Sequence, residues 1–79
     1  MENIDIYNKL LPIFRSTFNN ESLELSKDLT ANDVENWDSL THMLLVTEIE
    51  DFFSIKFKLK ELNKMRNVGD MVDIINSKI

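Results

Sequence analysis

The sequence predicts an all-α fold: a four-helix bundle with a long first loop and a short third helix. Three observations carry this reading. Apolar residues recur at spacings of three and four in separate stretches, the period of helices that bury one face. One Gly and one Pro stand in 79 residues, whereas a sheet-rich domain needs turn residues every few positions. Cysteine is absent, so neither disulfides nor thiolate metal sites supplement the core. A domain this small buries only about 60% of its unfolded surface, so its stability must come from a compact apolar interior, which a hydrophobic content of 43% can supply. Residues 1–79 read as a single domain.

Taken in order, Ile4, Tyr7, Leu11, Phe14 and Phe18 form one helical stripe, predicting a first helix over about residues 3–18. Pro12 lies inside it and removes a backbone hydrogen bond, so a bend or irregularity is expected near the middle. Asn19-Asn20-Glu21-Ser22 breaks the period, and residues 19–37 read as one connection. A loop that long in so small a domain is commonly functional or partly structured. Leu23, Leu25, Leu29 and Val34 are expected to pin it to the core, with a helical turn over Thr30–Val34.

The second helix is predicted to begin at Asp38 or Ser39, with Asp38 as N-cap because its carboxylate can accept from the first free backbone N–H groups. Leu45, Val46, Ile49 and Phe53, with His42 at the start, repeat at helical spacing, while Glu48, Glu50 and Asp51 fall mainly outside that stripe. Ile55-Lys56-Phe57 is too short for a helix and reads as extended. A brief helix follows near Lys58–Lys64, with Leu59 and Leu62 turned inward. The last helix starts at Asn67, a good N-cap, with Asp70 as an imperfect capping-box partner; Val68, Met71, Val72 and Ile75 form its buried face.

The net charge of −5 opposes nucleic-acid binding, since a phosphate backbone rewards basic patches. It favours partners with basic docking surfaces, toward which an acidic surface is steered. No apolar run approaches the roughly 20 residues of a bilayer span, so no membrane insertion is expected. The start Met1-Glu2-Asn3-Ile4-Asp5 lacks the basic and apolar regions of a signal peptide. A cytoplasmic monomer is expected, and abundant Asn, Ile and Lys with scarce Arg suit an AT-rich bacterial genome.

The informative stretch is Glu35-Asn36-Trp37-Asp38-Ser39-Leu40-Thr41-His42-Met43. Asp-Ser-Leu alone carries little, arising by chance in roughly a few per cent of chains this short. Its setting is more specific: the serine opens the second helix, after a long loop, in an acidic all-helical domain. This arrangement resembles the acyl carrier protein family, the phosphopantetheine-binding carriers. The resemblance spans nearly the whole chain, through Leu29–Trp37, Ile49–Phe57 and the last-helix opening Asn67-Val68-Gly69-Asp70-Met71-Val72. Thr41-His42 after the leucine resembles freestanding carriers of specialised pathways more than fatty-acid-synthesis carriers.

The resemblance implies an acyl or peptidyl carrier domain with the acyl-carrier-like bundle, itself non-catalytic. Ser39 would receive 4'-phosphopantetheine covalently from coenzyme A, and Asp38 would assist that modification, in family members through the transferase's magnesium. Acyl or aminoacyl intermediates would then ride as thioesters. Implied partners are a phosphopantetheinyl transferase, an acyl- or aminoacyl-activating ligase or an acyltransferase, and a downstream synthase or transferase. The chemistry is sound independently of the family: a helix N-terminus favours a phosphodiester, and a chain with no thiol needs a prosthetic one.

Each residue also has a plainer reading. Taken alone, Ser39 is more simply a first-turn helix residue. Leu40, Met43, Leu44 and Thr47 lie off the core stripe; they either pack under the long loop or form a partner-contacting patch, with Leu40 and Met43 favoured as contacts. Glu35, Glu48, Glu50 and Asp51 are individually a solvated acidic face and together match the carriers' acidic recognition helix. Trp37 reads as a packing anchor and the phenylalanines as core. His42, three residues after Ser39, invites a nucleophile–base pairing. No oxyanion hole or deep pocket is evident beside it, so packing against the first turn, with a hydrogen bond, is the better reading. Asp28–Ser39 lacks the Gly and Glu that an EF-hand needs at its sixth and twelfth positions, and no zinc cluster or phosphate loop is present. The competing functions are an unmodified helical protein-interaction domain with the carrier fold and a small serine hydrolase.

Overall fold

The computed structural model describes residues 3–79; Met1 and Glu2, on which part of the N-terminal reading rests, lie outside the described residues. Four α-helices are present among the described residues: α1 (Asn3–Thr17), α2 (Ser39–Phe53), α3 (Leu59–Leu62) and α4 (Val68–Lys78). A short 3-10 helix at Ala31–Asp33 interrupts the long first loop where a helical turn was expected. No strand occurs among the described residues.

Helix α1 packs against α2 and α4, and the core fills the space between them. Ile6, Leu10 and Phe14 are fully buried, and Phe18 continues their row at four-residue spacing. The predicted α1 stripe is therefore shifted. Ile4, expected inside, is 61% exposed, and Tyr7 is only half-buried. Apolar residues on α1 cover more than one side, so two overlapping stripes satisfy the helical period and the neighbouring helices choose between them. The helix runs through Pro12 without interruption, with the proline ring side exposed. Leu45, Val46 and Ile49 of α2 and Val68, Met71, Val72 and Ile75 of α4 are buried as predicted.

The long loop is tied down along its length. Leu23 and Val34 are buried, and Leu25, Leu29 and Trp37 pack against the same core. Asp33 accepts from both the N–H and the hydroxyl of Thr30, at 3.0 and 3.1 Å, which fixes the 3-10 turn. The loop also satisfies donors that a helix start leaves free. Lys27 and Leu29 carbonyls accept from the Gly69 and Val68 N–H groups of α4, each at 2.9 Å. The Asn67 side chain takes the Asp70 N–H at 2.8 Å, confirming the N-cap. Asp70 itself reaches back to Arg66, at 3.2 Å from its Nε, rather than to Asn67.

Two further expectations are corrected. Leu59 is 75% exposed; α3 is a single four-residue turn, and only Leu62 of its two leucines turns toward the body. Phe52 is exposed rather than core, with the Lys9 ammonium 5.9 Å from its ring centre. Helix α3 is anchored instead by its charge: Glu61 accepts from the Lys58 N–H at 2.7 Å and pairs with Lys78 of α4 at 2.9 Å. No helix among the described residues is long and apolar enough to cross a membrane.

Candidate functional site

The start of α2 is built by a reciprocal cap. The Asp38 carboxylate accepts from the Thr41 N–H at 3.0 Å, and the Thr41 hydroxyl faces the Asp38 N–H at 2.8 Å. The same hydroxyl donates to the Asn36 carbonyl at 2.6 Å, and Asn36 takes a left-handed φ of 72°, a conformation Asn tolerates better than most residues. The chain thereby turns sharply into the helix, with Ser39 as its first residue. Thr41 as the second half of this cap escaped the sequence reading, although Asp-x-x-Thr has the spacing of a capping box. Hydrogen bonding to the Thr41 N–H, before any other cause, holds the Asp38 carboxyl below the usual range, so it is a carboxylate at neutral pH.

Ser39 is exposed. Its hydroxyl and its backbone N–H have no hydrogen-bond partner among the described residues. The contrast with α4 is informative: there, loop carbonyls and Asn67 occupy the first-turn donors. At α2 the Ser39 N–H stays open beside the one hydroxyl that projects from the helix start. Free N–H groups at a helix N-terminus favour an anion, so a phosphodiester on Ser39 fits the residues present.

Beside Ser39 lies an open cavity of about 470 Å³, lined by Trp37, Asp38, Ser39 and His42 on one side and Leu62 and Met65 on the other. Trp37 is the anchor the sequence suggested. Its ring meets Phe14 and Phe18 at centroid distances of 5.5 Å each. Its indole N–H donates to Nδ1 of His42 at 3.1 Å, with the two ring planes 17° apart and their centroids 6.1 Å from each other. Burial lowers the His42 pKa below the ordinary histidine value, favouring neutral imidazole. The ring nitrogen that accepts is already engaged by Trp37, and no hydrogen bond joins His42 to Ser39, which leaves a nucleophile–base pair without its essential contact.

Leu40, Met43 and Leu44 are 73%, 51% and 55% exposed and share one face of α2 with Thr47, at i, i+3, i+4 and i+7. They do not pack under the long loop. Thr47 is exposed, but its hydroxyl donates to the Met43 carbonyl at 2.9 Å, within its own helix. Glu35 and Glu48 are exposed. Glu50 departs from the acidic face: it is half-buried and accepts from the Phe57 N–H at 2.8 Å, holding the α2–α3 connection. No cluster of metal-binding side chains occurs among the described residues.

This fold and helix start define a small all-helical domain that presents an exposed serine at the opening of its second helix. No family model matches the chain. Over its whole length it is 30% identical to the acyl carrier protein of Coprothermobacter proteolyticus, spanning 96% of that protein. It is 27% identical to the acyl carrier protein of Lactobacillus johnsonii over 92% of the chain and 91% of that relative. The solution structure of a holo acyl carrier protein from Geobacter metallireducens superposes with a TM-score of 0.87 at 44% identity, covering 91% of this chain and 83% of that one. The chain belongs to the acyl carrier protein family.

Proposed function

We propose that this carrier holds acyl or aminoacyl groups as thioesters on a 4'-phosphopantetheine arm attached to Ser39, and that residues 1–79 form one carrier domain. The observation that carries the reading is the exposed, unpartnered Ser39 hydroxyl at the open N-terminus of α2. In the attachment step the Ser39 oxygen bonds to the pantetheine-bearing phosphorus of coenzyme A. The pyrophosphate bond breaks, adenosine 3',5'-bisphosphate leaves with its electron pair, and the hydroxyl proton passes to a base of the transferase. Asp38, ionised and next in sequence, assists through the transferase's magnesium. When bound, the arm supplies the thiol that this cysteine-free chain lacks, and its tether raises the cargo's effective concentration at each partner enzyme.

Leu40 and Met43, flanked by Glu35 and Glu48, form the face offered to the phosphopantetheinyl transferase, to the activating ligase or acyltransferase, and to the downstream synthase or transferase. Thr47 lies on that face as part of its floor, its hydroxyl proton engaged by the helix. The acidic balance steers encounter with basic surfaces. The protein acts as a cytoplasmic, non-catalytic monomer, and the Thr41-His42 pair supports a specialised biosynthetic pathway.

Intact-protein mass, measured before and after incubation with coenzyme A, magnesium and a broad-specificity phosphopantetheinyl transferase, tests this. A gain of one phosphopantetheinyl mass in the wild type and none in Ser39→Ala is expected. No gain, under conditions that modify a control carrier, would favour an unmodified interaction domain.

A further inference from the structure

We infer that His42 is a positioning residue for the arm: with Nδ1 held by Trp37, its Nε2–H donates to a phosphodiester oxygen on Ser39 and fixes the arm's root beside the cavity. The inference rests on the attachment of the arm to Ser39. It begins from the Trp37–His42 bond of 3.1 Å, in which the indole can only donate. Nδ1 must therefore carry the lone pair, which assigns the proton of the neutral ring to Nε2.

Nε2 has no hydrogen-bond partner among the described residues, and it is not sealed from solvent, since no buried side-chain nitrogen or oxygen is left unpaired there. His42 and Ser39 line the same cavity. They stand at i and i+3, where Cβ atoms are about 5–6 Å apart, and helical side chains lean toward the preceding turn. The His42 ring must lean that way to meet Trp37, which precedes the helix. His42 and Ser39 therefore border one open space, and the ring that lines it carries its free donor on Nε2. The open Ser39 N–H and the His42 Nε2–H thus belong to two residues that line the space a phosphodiester on Ser39 would enter. A hydrogen bond to a charged acceptor is stronger than one to a neutral group, whereas the apo protein offers this N–H only water.

Burial that favours neutral His42 keeps the single donor in place. The hydrogen bond to Trp37, whose ring is itself wedged on Phe14 and Phe18, removes ring rotation that a solvent-exposed histidine would have. The residue is preorganised before the arm arrives, as binding groups must be to act without ordering cost.

Long-range 1H–15N spectra of 15N-labelled apo and holo protein at pH 8, with 31P spectra of the holo form, test the proposal. The apo protein should show the Nε2–H tautomer. On attachment, Hε2 should exchange with water about tenfold more slowly, the factor carried by about 1.4 kcal/mol, and the 31P resonance should shift in His42→Phe but return toward wild type in His42→Gln, which restores a donor. Circular dichroism of each variant verifies the fold, and Trp37→Phe, which leaves the histidine but frees its tautomer, provides a second arm expected to reduce the Hε2 protection. Equal Hε2 exchange in apo and holo protein, or a 31P resonance indifferent to His42→Phe, would overturn this role while leaving the arm on Ser39. Failure of Ser39 to gain the arm by mass would overturn both.

Discussion

The indole N–H of Trp37 donates to Nδ1 of His42 across 3.1 Å, with the two ring planes 17° apart. Trp37 closes the long loop and His42 stands in the first turns of α2, so this pair joins the aromatic core around Phe14 to the helix start that presents Ser39.

Trp37→Phe removes the donor while keeping an aromatic ring. It should lose about 0.5–1.5 kcal/mol of stability, the net value of one hydrogen bond; Trp37→Ala should lose more, because a cavity opens against Phe14 and Phe18. Urea denaturation followed by circular dichroism measures both, and equal losses would count against a separate role for the bond.

His42 gives stability a pH dependence of definite sign. Burial depresses its folded pKa, so as pH falls the unfolded chain takes up a proton first, at about 6.5. Its contribution is complete above that value and is lost as pH falls through the window down to the lower folded pKa. His42→Phe should flatten this part of the stability–pH curve while the carboxylate-dependent fall at lower pH remains.

Leu44 and Leu45 are adjacent but opposite in role. Leu45 is fully buried, whereas Leu44 is exposed. Leu45→Ala should lose about 2–5 kcal/mol, enough to unfold much of a small domain. Leu44→Ala should stay within about 0.5 kcal/mol of wild type. Thermal melts of the pair provide the comparison.

At Gly69 a Cβ would lie 3.0 Å from the Lys27 carbonyl oxygen and 3.0 Å from the Lys27 Cβ. That carbonyl accepts the Gly69 N–H and cannot retreat without weakening the bond. Gly69→Ala should therefore destabilise, by about 1 kcal/mol net, because overpacking at 1–3 kcal/mol outweighs the helix-propensity gain of about 1 kcal/mol. A higher melting temperature in this variant would contradict the packing described.

Asp38 has two separable roles. Asn caps helices as well as Asp, so Asp38→Asn should preserve the melting temperature at pH 7 yet slow arm attachment by the transferase, since the carboxylate is gone. Asp38→Ala should lower both. Initial rates of mass gain, beside thermal melts, distinguish the two; an Asn variant modified at the wild-type rate would confine Asp38 to capping.

Much of this molecule was legible in its sequence because the governing interactions are local. Asp38 and Asn67 cap helices through bonds to residues three positions ahead, and the buried faces of α2 and α4 follow from spacing alone. The carrier reading came from the setting of Ser39 at a helix start after a long loop, together with short segments at Leu29–Trp37, Ile49–Phe57 and Asn67–Val72. Thr41 was equally local, but its cap departs from the usual Ser/Thr-first order and passed unnoticed.

What the sequence by itself determined is the helical class, the helix starts and the position of Ser39, since period, caps and motif act within a turn or two of the chain. Tertiary structure decided which of two overlapping stripes on α1 faces inward, that Leu59 and Phe52 stay outside, that Glu50 turns in to hold the Phe57 N–H, and that Trp37 fixes the tautomer of His42. Those outcomes depend on which surfaces meet across the bundle, where burial rewards one packing among several that satisfy the same local pattern.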